Sequence, residues 1–346
     1  MTESKTRAKY WWWMVTGWSS AYLLLGIVWI LGGPGYPFED ASAARTSGAL
    51  LVGPPREPTS AVIACLAFAV LVAVVLGRQS SRSSWPSRFV MGVAILLVLT
   101  VPDARLLVAL INLPLGNLAP FSAAVWHQVW ILLGAFLFWR ASATRATPRP
   151  GRVFESQERP TGRQRRIWIA AMALPLVYAG RQLAWAAGLH FGVTDEFIEP
   201  YTAAGARITE AALAAAAILG ALLTAGLGQR WGTRFPRWTP FLAGRSVPVL
   251  LAVIPGLTIA VILSAAGLSI YRGLLAMAFG LTPVEPSATM ENWAVWMPTL
   301  SWLPWGVTLG LATLSYRRRR IIAASQRQHA QPRGVTPREP AEAQLR

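Results

Sequence analysis

Apolar residues in this chain come in runs too long for the elements of a soluble domain, and short arginine-rich stretches separate them. A bilayer core of about 30 Å takes roughly 20 residues of helix, because every backbone amide must find its partner within the segment. Eight runs meet that length, over residues 12–31, 59–76, 89–111, 122–139, 167–189, 208–227, 247–270 and 293–316. Pro102, Asp103 and Arg105 interrupt the third of them. The pattern predicts an all-α fold, a polytopic transmembrane helix bundle of about eight spans.

Basic residues orient such a bundle, since short loops rich in Arg and Lys stay in the cytoplasm. With the N terminus inside, most of the 32 basic residues fall on that face: the N-terminal segment, Arg78 to Arg88, Arg140 to Arg166, Arg230 to Arg245, and Arg317 onward. The outer loops keep Arg45, Arg56, Arg207 and Arg272, together with acidic residues such as Glu39, Asp40, Asp195, Glu196, Glu285 and Glu291. Both termini are therefore expected in the cytoplasm, with the chain in the plasma membrane. An Ala41-Ser42-Ala43 tripeptide follows the first run as a signal-peptidase site would, but the run exceeds a usual signal core and has a counterpart in mid-chain. A retained first span is expected.

That counterpart is the pattern Y-x6-W-x2-G, formed by Tyr22, Trp29 and Gly32 and again by Tyr178, Trp185 and Gly188, an offset of 156 residues. Loop order and charge pattern recur with it, which predicts a tandem repeat of four spans plus four. Even-numbered units share one orientation, so their pseudo-two-fold axis would stand along the membrane normal. The expected organisation is a first four-span half at 1–140, a basic cytoplasmic linker at 141–166, a second half at 167–320 and a disordered cytoplasmic tail at 321–346.

Composition agrees with the bilayer reading: 54% of residues are apolar and 14% charged, against roughly a quarter charged in soluble proteins. A net charge of +17 would otherwise raise nucleic-acid binding, yet the arginines flank apolar runs, where they face anionic lipid headgroups. The expected partners are thus the bilayer and its headgroups, with no nucleic acid; the protein partner stays open. Cys65 is the one cysteine, which excludes an intrachain disulfide, and it is expected as a packed thiol. No C-x2-C, H-E-x-x-H, Walker A or G-x-S-x-G motif occurs. A haem-like bis-histidine site could draw only on His127 and His190, at outer span edges. No catalytic residue, metal or cofactor is expected.

Ionisable groups are costly in hydrocarbon and usually face a bundle interior or a cavity. Asp103 lies 15 residues beyond Arg88, and Arg181 lies 15 beyond Arg166, so both should sit about 22 Å from the inner boundary and are in reach of one another. With Arg105, His127, Gln128, Gln182 and Glu210 they form a candidate polar cluster open to the outer face. The plainer alternative pairs Asp103 with Arg105 and lets Arg181 snorkel outward.

One inner loop is distinctive: Gln229, Arg230, Trp231, Gly232, Pro236, Arg237, Trp238 and Pro240 spell Q-R-W-G-x-x-x-P-R-W-x-P. With Trp29 to Gly35, Val101 to Arg105 and the arginine-terminated last span, it resembles actinobacterial multi-pass integral membrane proteins of uncharacterised function. The resemblance implies a plasma-membrane protein of about eight spans and no particular activity. It departs from that group at Thr233, where members tend to be acidic, and at His127, where many have Asn, so neither position is implied to be indispensable. Three functional classes remain: a transporter-like protein binding a small molecule or lipid in an outward-facing polar pocket, a non-catalytic accessory or assembly protein, and an intramembrane enzyme on a lipid-linked substrate.

Overall fold

Long unbranched apolar runs with few internal breakers have one way to satisfy their amides without outside help, and the chain takes it. The computed structural model describes residues 2–40, 47–79, 84–113, 116–145, 162–202, 204–237, 239 and 241–330. Among these there is no β-strand. The helices are α1 (Thr2–Ile30), α2 (Arg56–Gln79), α3 (Trp85–Thr100), α4 (Ala104–Asn112), α5 (Ala123–Arg145), α6 (Gly162–Ala186), α7 (Asp195–Thr202), α8 (Ala204–Gly228), α9 (Val249–Ala278), α10 (Trp293–Trp296) and α11 (Trp302–Ala330).

Five helices, α1, α2, α6, α8 and α9, are long and apolar enough to cross a membrane, and a sixth crossing is formed if the bent pair α3 and α4 counts as one. The protein is thus an all-helical chain whose apolar helices are compatible with membrane embedding. Two of the predicted runs are broken. The third, 89–111, bends by 70° between α3 and α4, where Pro102 cannot continue the helix and Asp103 starts a new one. The eighth, 293–316, is α10, a 3-10 turn over Met297–Ser301 and then α11, because Pro298 enters near its start. A short helix, α7, lies where only a loop was expected. α5 and α6 extend into both ends of the expected linker, and α11 runs to Ala330, past the expected start of the tail; the rest of both segments, at 146–161 and 331–346, lies outside the described residues.

Packing divides the helices into two groups. In the first, α1 packs on α2 and α5, and α3 packs on α5; in the second, α6 packs on α8 and α11, and α9 packs on α11. Each group has its own core, one built on Trp18, Tyr22, Val70, Val90 and Phe138, the other on Ala171, Ala214, Leu263, Leu309 and Tyr316. The short helix α4 belongs to the second core although it comes from the first half of the chain, its Leu106, Leu107 and Ala109 packing there.

The residues at the contacts are small. Ala64, Ala67, Ala73, Ala214, Ala217, Ala221 and Ala266 are buried, whereas Leu24, Phe68, Leu96, Leu219, Leu222, Leu250 and Ile254 are exposed. Alanines at helix contacts and large aliphatic side chains over the outer surface is the arrangement expected where lipid, not water, surrounds the helices. Cys65 follows this inversion: it is exposed on α2 beside Val62 and Phe68, not the packed thiol expected. Trp12, at a predicted span end, is buried in the first core, while its neighbour Trp13 faces outward.

The recurring Tyr-Trp-Gly pattern has a local meaning. Gly32 and Gly188 both take a left-handed conformation, at φ 83° and 87°, and stop α1 and α6 in the same way. Gly33 N–H donates back to Val28 C=O, and Leu189 N–H to Ala184 C=O, so each helix ends with the same pair of backbone bonds over a glycine.

α9 and α11 approach closely at Gly267 and Gly306; a Cβ on Gly306 would lie 2.7 Å from the Ala260 carbonyl oxygen, whereas one on Gly220 would meet only Trp305 at 3.5 Å. Gly306→Ala is therefore expected to destabilise the protein by about 1–3 kcal/mol, and Gly220→Ala to leave it unchanged or slightly better. Thermal melting of the two detergent-solubilised variants compares them directly, and equal melting would contradict the close approach.

Candidate functional site

The bend between α3 and α4 frees backbone groups that an unbroken helix would have paired. Asp103 caps α4: its carboxylate accepts from Arg105 N–H at 2.9 Å, and its own N–H donates to Gln128 Oε1 at 3.1 Å. Ala104 N–H donates to Ser47 C=O at 3.2 Å, bringing the first outer loop to the bend. On the other side of the break, Arg272 of α9 donates through Nη2 to Pro102 C=O at 2.9 Å and through Nη1 to Leu99 C=O. Three segments and a helix from the second group thus meet at one kink. Gly48 carries φ 67° there, and a Cβ on it would lie 2.6 Å from the Ser269 carbonyl oxygen, so this loop reaches α9 only as glycine.

Asp103 is fully buried and its carboxylate is gripped side-on by Arg105, with Nη2 at 2.6 Å and Nε at 3.1 Å from both oxygens. Arg181 has a different partner. Its Nη1 lies 2.9 Å from Glu210 Oε2, its Nε donates to Ala294 C=O at 2.9 Å, it bonds Gln182, and its guanidinium stacks 3.4 Å from the Trp185 ring centroid. Gln182 in turn donates to the Tyr178 hydroxyl at 3.1 Å.

The candidate cluster read from the sequence is therefore divided. Asp103, Arg105 and Gln128 hold the kink, and Arg181, Gln182 and Glu210 tie α6 to α8 and to the turn before α11. Of the two arrangements the sequence allowed, Asp103 pairs with Arg105 and not with Arg181, because a carboxylate at a helix N-cap lies within reach of the residue two positions on; Arg181, expected in that arrangement to snorkel outward, instead pairs with Glu210.

His127 is separate from both. Although adjacent to Gln128, it projects from another side of α5 into a ring of aromatics: Tyr22, whose hydroxyl bonds Nε2, Phe38 at 5.3 Å between ring centroids and Trp29 at 6.1 Å. Tyr36 packs on Phe38 and Trp29 and donates to Pro54 C=O, closing the outer loop over this box. Below the box is a cavity of about 270 Å³ among α1, α2, α3 and α5. Tyr22, Thr59 and His127 stand in a wall that is otherwise apolar, with Trp18, Leu66, Ala67, Leu97, Ile131 and Phe138 among its members. Val62, 66% exposed, also lines it, which puts an opening beside α2 on the outer surface of the bundle.

Of the inner-loop motif, Trp231 and Gly232 fold back on α8: the Trp231 ring covers Gly226, and the Tyr316 hydroxyl donates to Gly232 C=O at 2.7 Å. Pro236 and Arg237 follow in a turn, while Trp238 and Pro240 lie outside the described residues. Sequence reasoning missed Arg272, counted as a loop charge, and the aromatic lid residues Tyr36 and Phe38. An arginine two residues past a predicted span end, opposite a Pro-Asp break, was the available signal for the first.

No group of three or more metal-ligating side chains occurs among the described residues. Comparison with protein-family models, with curated proteins and with solved structures finds no match.

Both partners of the Arg181–Glu210 pair are almost buried, so removing one strands the other's charge. Glu210→Leu is expected to cost about 3–5 kcal/mol, and the double variant with Arg181→Leu to recover much of that loss. A thermal-melting cycle of the four proteins tests this; additive losses would mean that the pair is not coupled.

Proposed function

We propose that this protein is a multi-pass plasma-membrane protein that binds a hydrophobic or lipid-like ligand, drawn from the surrounding bilayer, in the cavity of its first helix group. The observation that carries this reading is the largely apolar chamber of about 270 Å³, with Tyr22, Thr59 and His127 as the polar residues of its wall and an opening beside the exposed Val62. Its size lies just below the usual range for small-molecule pockets, which are mostly apolar with few orienting polar groups. A transporter-like role would use this chamber and not the charged residues, since Asp103 and Glu210 are each committed to an arginine.

The topology proposed with it has eight crossings and both termini in the cytoplasm. It counts α5 and α11, which pack along α3 and α9, as crossings in their own right. Matching helix stops at Gly32 and Gly188 and the parallel packing order of the two groups support a four-plus-four duplication. The resemblance to actinobacterial membrane proteins through the Trp231 loop fits the same topology.

Ala67 lines the chamber, and Ala67→Phe is expected to fill it. Lipid extracted from the purified variant should lack a species that the parent carries, while His127→Asn, still able to bond Tyr22, should keep it. An unchanged lipid complement in Ala67→Phe would sink the proposal. The topology is checked separately: in a Cys65→Ser background, a cysteine at Gln164 should be shielded from an impermeant thiol reagent in intact cells, and one at Asn117 should be labelled. Labelling of the first site would overturn the orientation.

A further inference from the structure

The second helix group has an opening of its own. α2 and α3 pack together, but α8 and α9 hardly touch, and between them runs an apolar groove of about 400 Å³ lined by Leu223, Trp231, Phe235, Leu251, Pro255 and Ile259. At Leu227, which lines both, the groove adjoins a recess of about 460 Å³ bordered by Gln229, Thr233, Arg319, Arg320 and Gln326. No carboxylate lines the recess among the described residues.

Its two arginines are held in place from behind. Arg319 donates through Nη2 to Leu227 C=O at 2.7 Å, and Arg320 donates to Val247 C=O at 2.8 Å and to the Tyr316 hydroxyl at 2.7 Å. Each anchor uses part of a guanidinium, and Arg319 Nε is buried without a protein acceptor. Two anchored cations next to an apolar groove between helices match an amphiphile with an anionic head and a hydrocarbon tail. The adjoining hairpin, in which Phe235 N–H bonds Arg245 C=O and Val247 N–H bonds Thr233 C=O, presents Phe241 at 95% exposure between arginines, as a segment lying among headgroups would.

We infer that this recess and groove bind one anionic phospholipid, its phosphate against Arg319 and Arg320 and an acyl chain between α8 and α9. The inference rests on the membrane reading above but not on the ligand of the first cavity. It is tested with the full chain, delipidated in detergent and titrated with phosphatidylglycerol or phosphatidylcholine of the same acyl chains, bound lipid being counted by native mass spectrometry. The parent should retain phosphatidylglycerol in preference to phosphatidylcholine, and inorganic phosphate should not displace it.

Because Arg319 and Arg320 also brace the fold, the decisive variant is Gln229→Glu with Gln326→Glu, which adds negative charge to the recess and keeps both anchors. It should weaken phosphatidylglycerol binding by about tenfold or more. Leu251→Trp, which narrows the groove, should weaken it as well. Equal retention of the two lipids, or unchanged binding by the double glutamate variant, overturns the site. Displacement by inorganic phosphate would overturn the lipid assignment. Carbonate extraction of cell membranes separates the underlying failure: release of the protein would refute embedding itself, whereas a carbonate-resistant protein without headgroup preference refutes this site alone.

Discussion

A peptide group that gives up its helical partner in apolar surroundings must find another, and at residues 99–105 this requirement organises much of the molecule. Pro102 ends α3, and the donors and acceptors so released are met by Gln128 from α5, Ser47 from the first outer loop, the Asp103 side chain and Arg272 from α9. Each of these partners must be held within hydrogen-bonding range, which is why the loop at Gly48 is pressed against Ser269 and why α4 leaves its own group to pack with the other. The kink joins the two helix groups because its amides take acceptors from the first and its carbonyls take a donor from the second.

The remaining buried polarity follows the same accounting. Arg181 divides its donors among a carboxylate, a carbonyl and an amide, with an indole face beneath it, so its charge is balanced where it stands. The first cavity, by contrast, has a wall that asks for little: two of its few polar members, Tyr22 and His127, bond each other. Charges that close on themselves serve as fasteners, and the first chamber is walled mainly by aromatic and aliphatic side chains. The proposed binding of an apolar ligand rests on this division.

The helices were largely legible from the sequence because run length in a bilayer is a one-dimensional property, and the bend was flagged by Pro102-Asp103. Partner choice was legible only in part: Asp103 with Arg105 stood among the alternatives, whereas Arg181 with Glu210 did not. Depth along a helix placed Asp103 and Arg181 at one level, but contact depends on helix rotation and on which neighbour arrives first, and Arg105 was two residues away. Sidedness misled in a similar way at Cys65, where a small residue in an apolar run was assigned to the interior while the inward face of α2 is taken by Ala64, Ala67 and Ala73. The lid over His127 was invisible because Tyr36 and Phe38 belong to a loop whose path only the folded chain defines.

The reach of Arg272 across 170 positions to Pro102 bears on how the protein is made. A nascent chain delivers α3 and α4 long before α9, so over 170 of its 346 residues of synthesis the carbonyls at the bend lack their final donor. The first half must wait in an unfinished state, with water, a chaperone or another part of the chain standing in. Only when the seventh hydrophobic run emerges can the joint be locked, which makes completion of the early half an event timed by the late one.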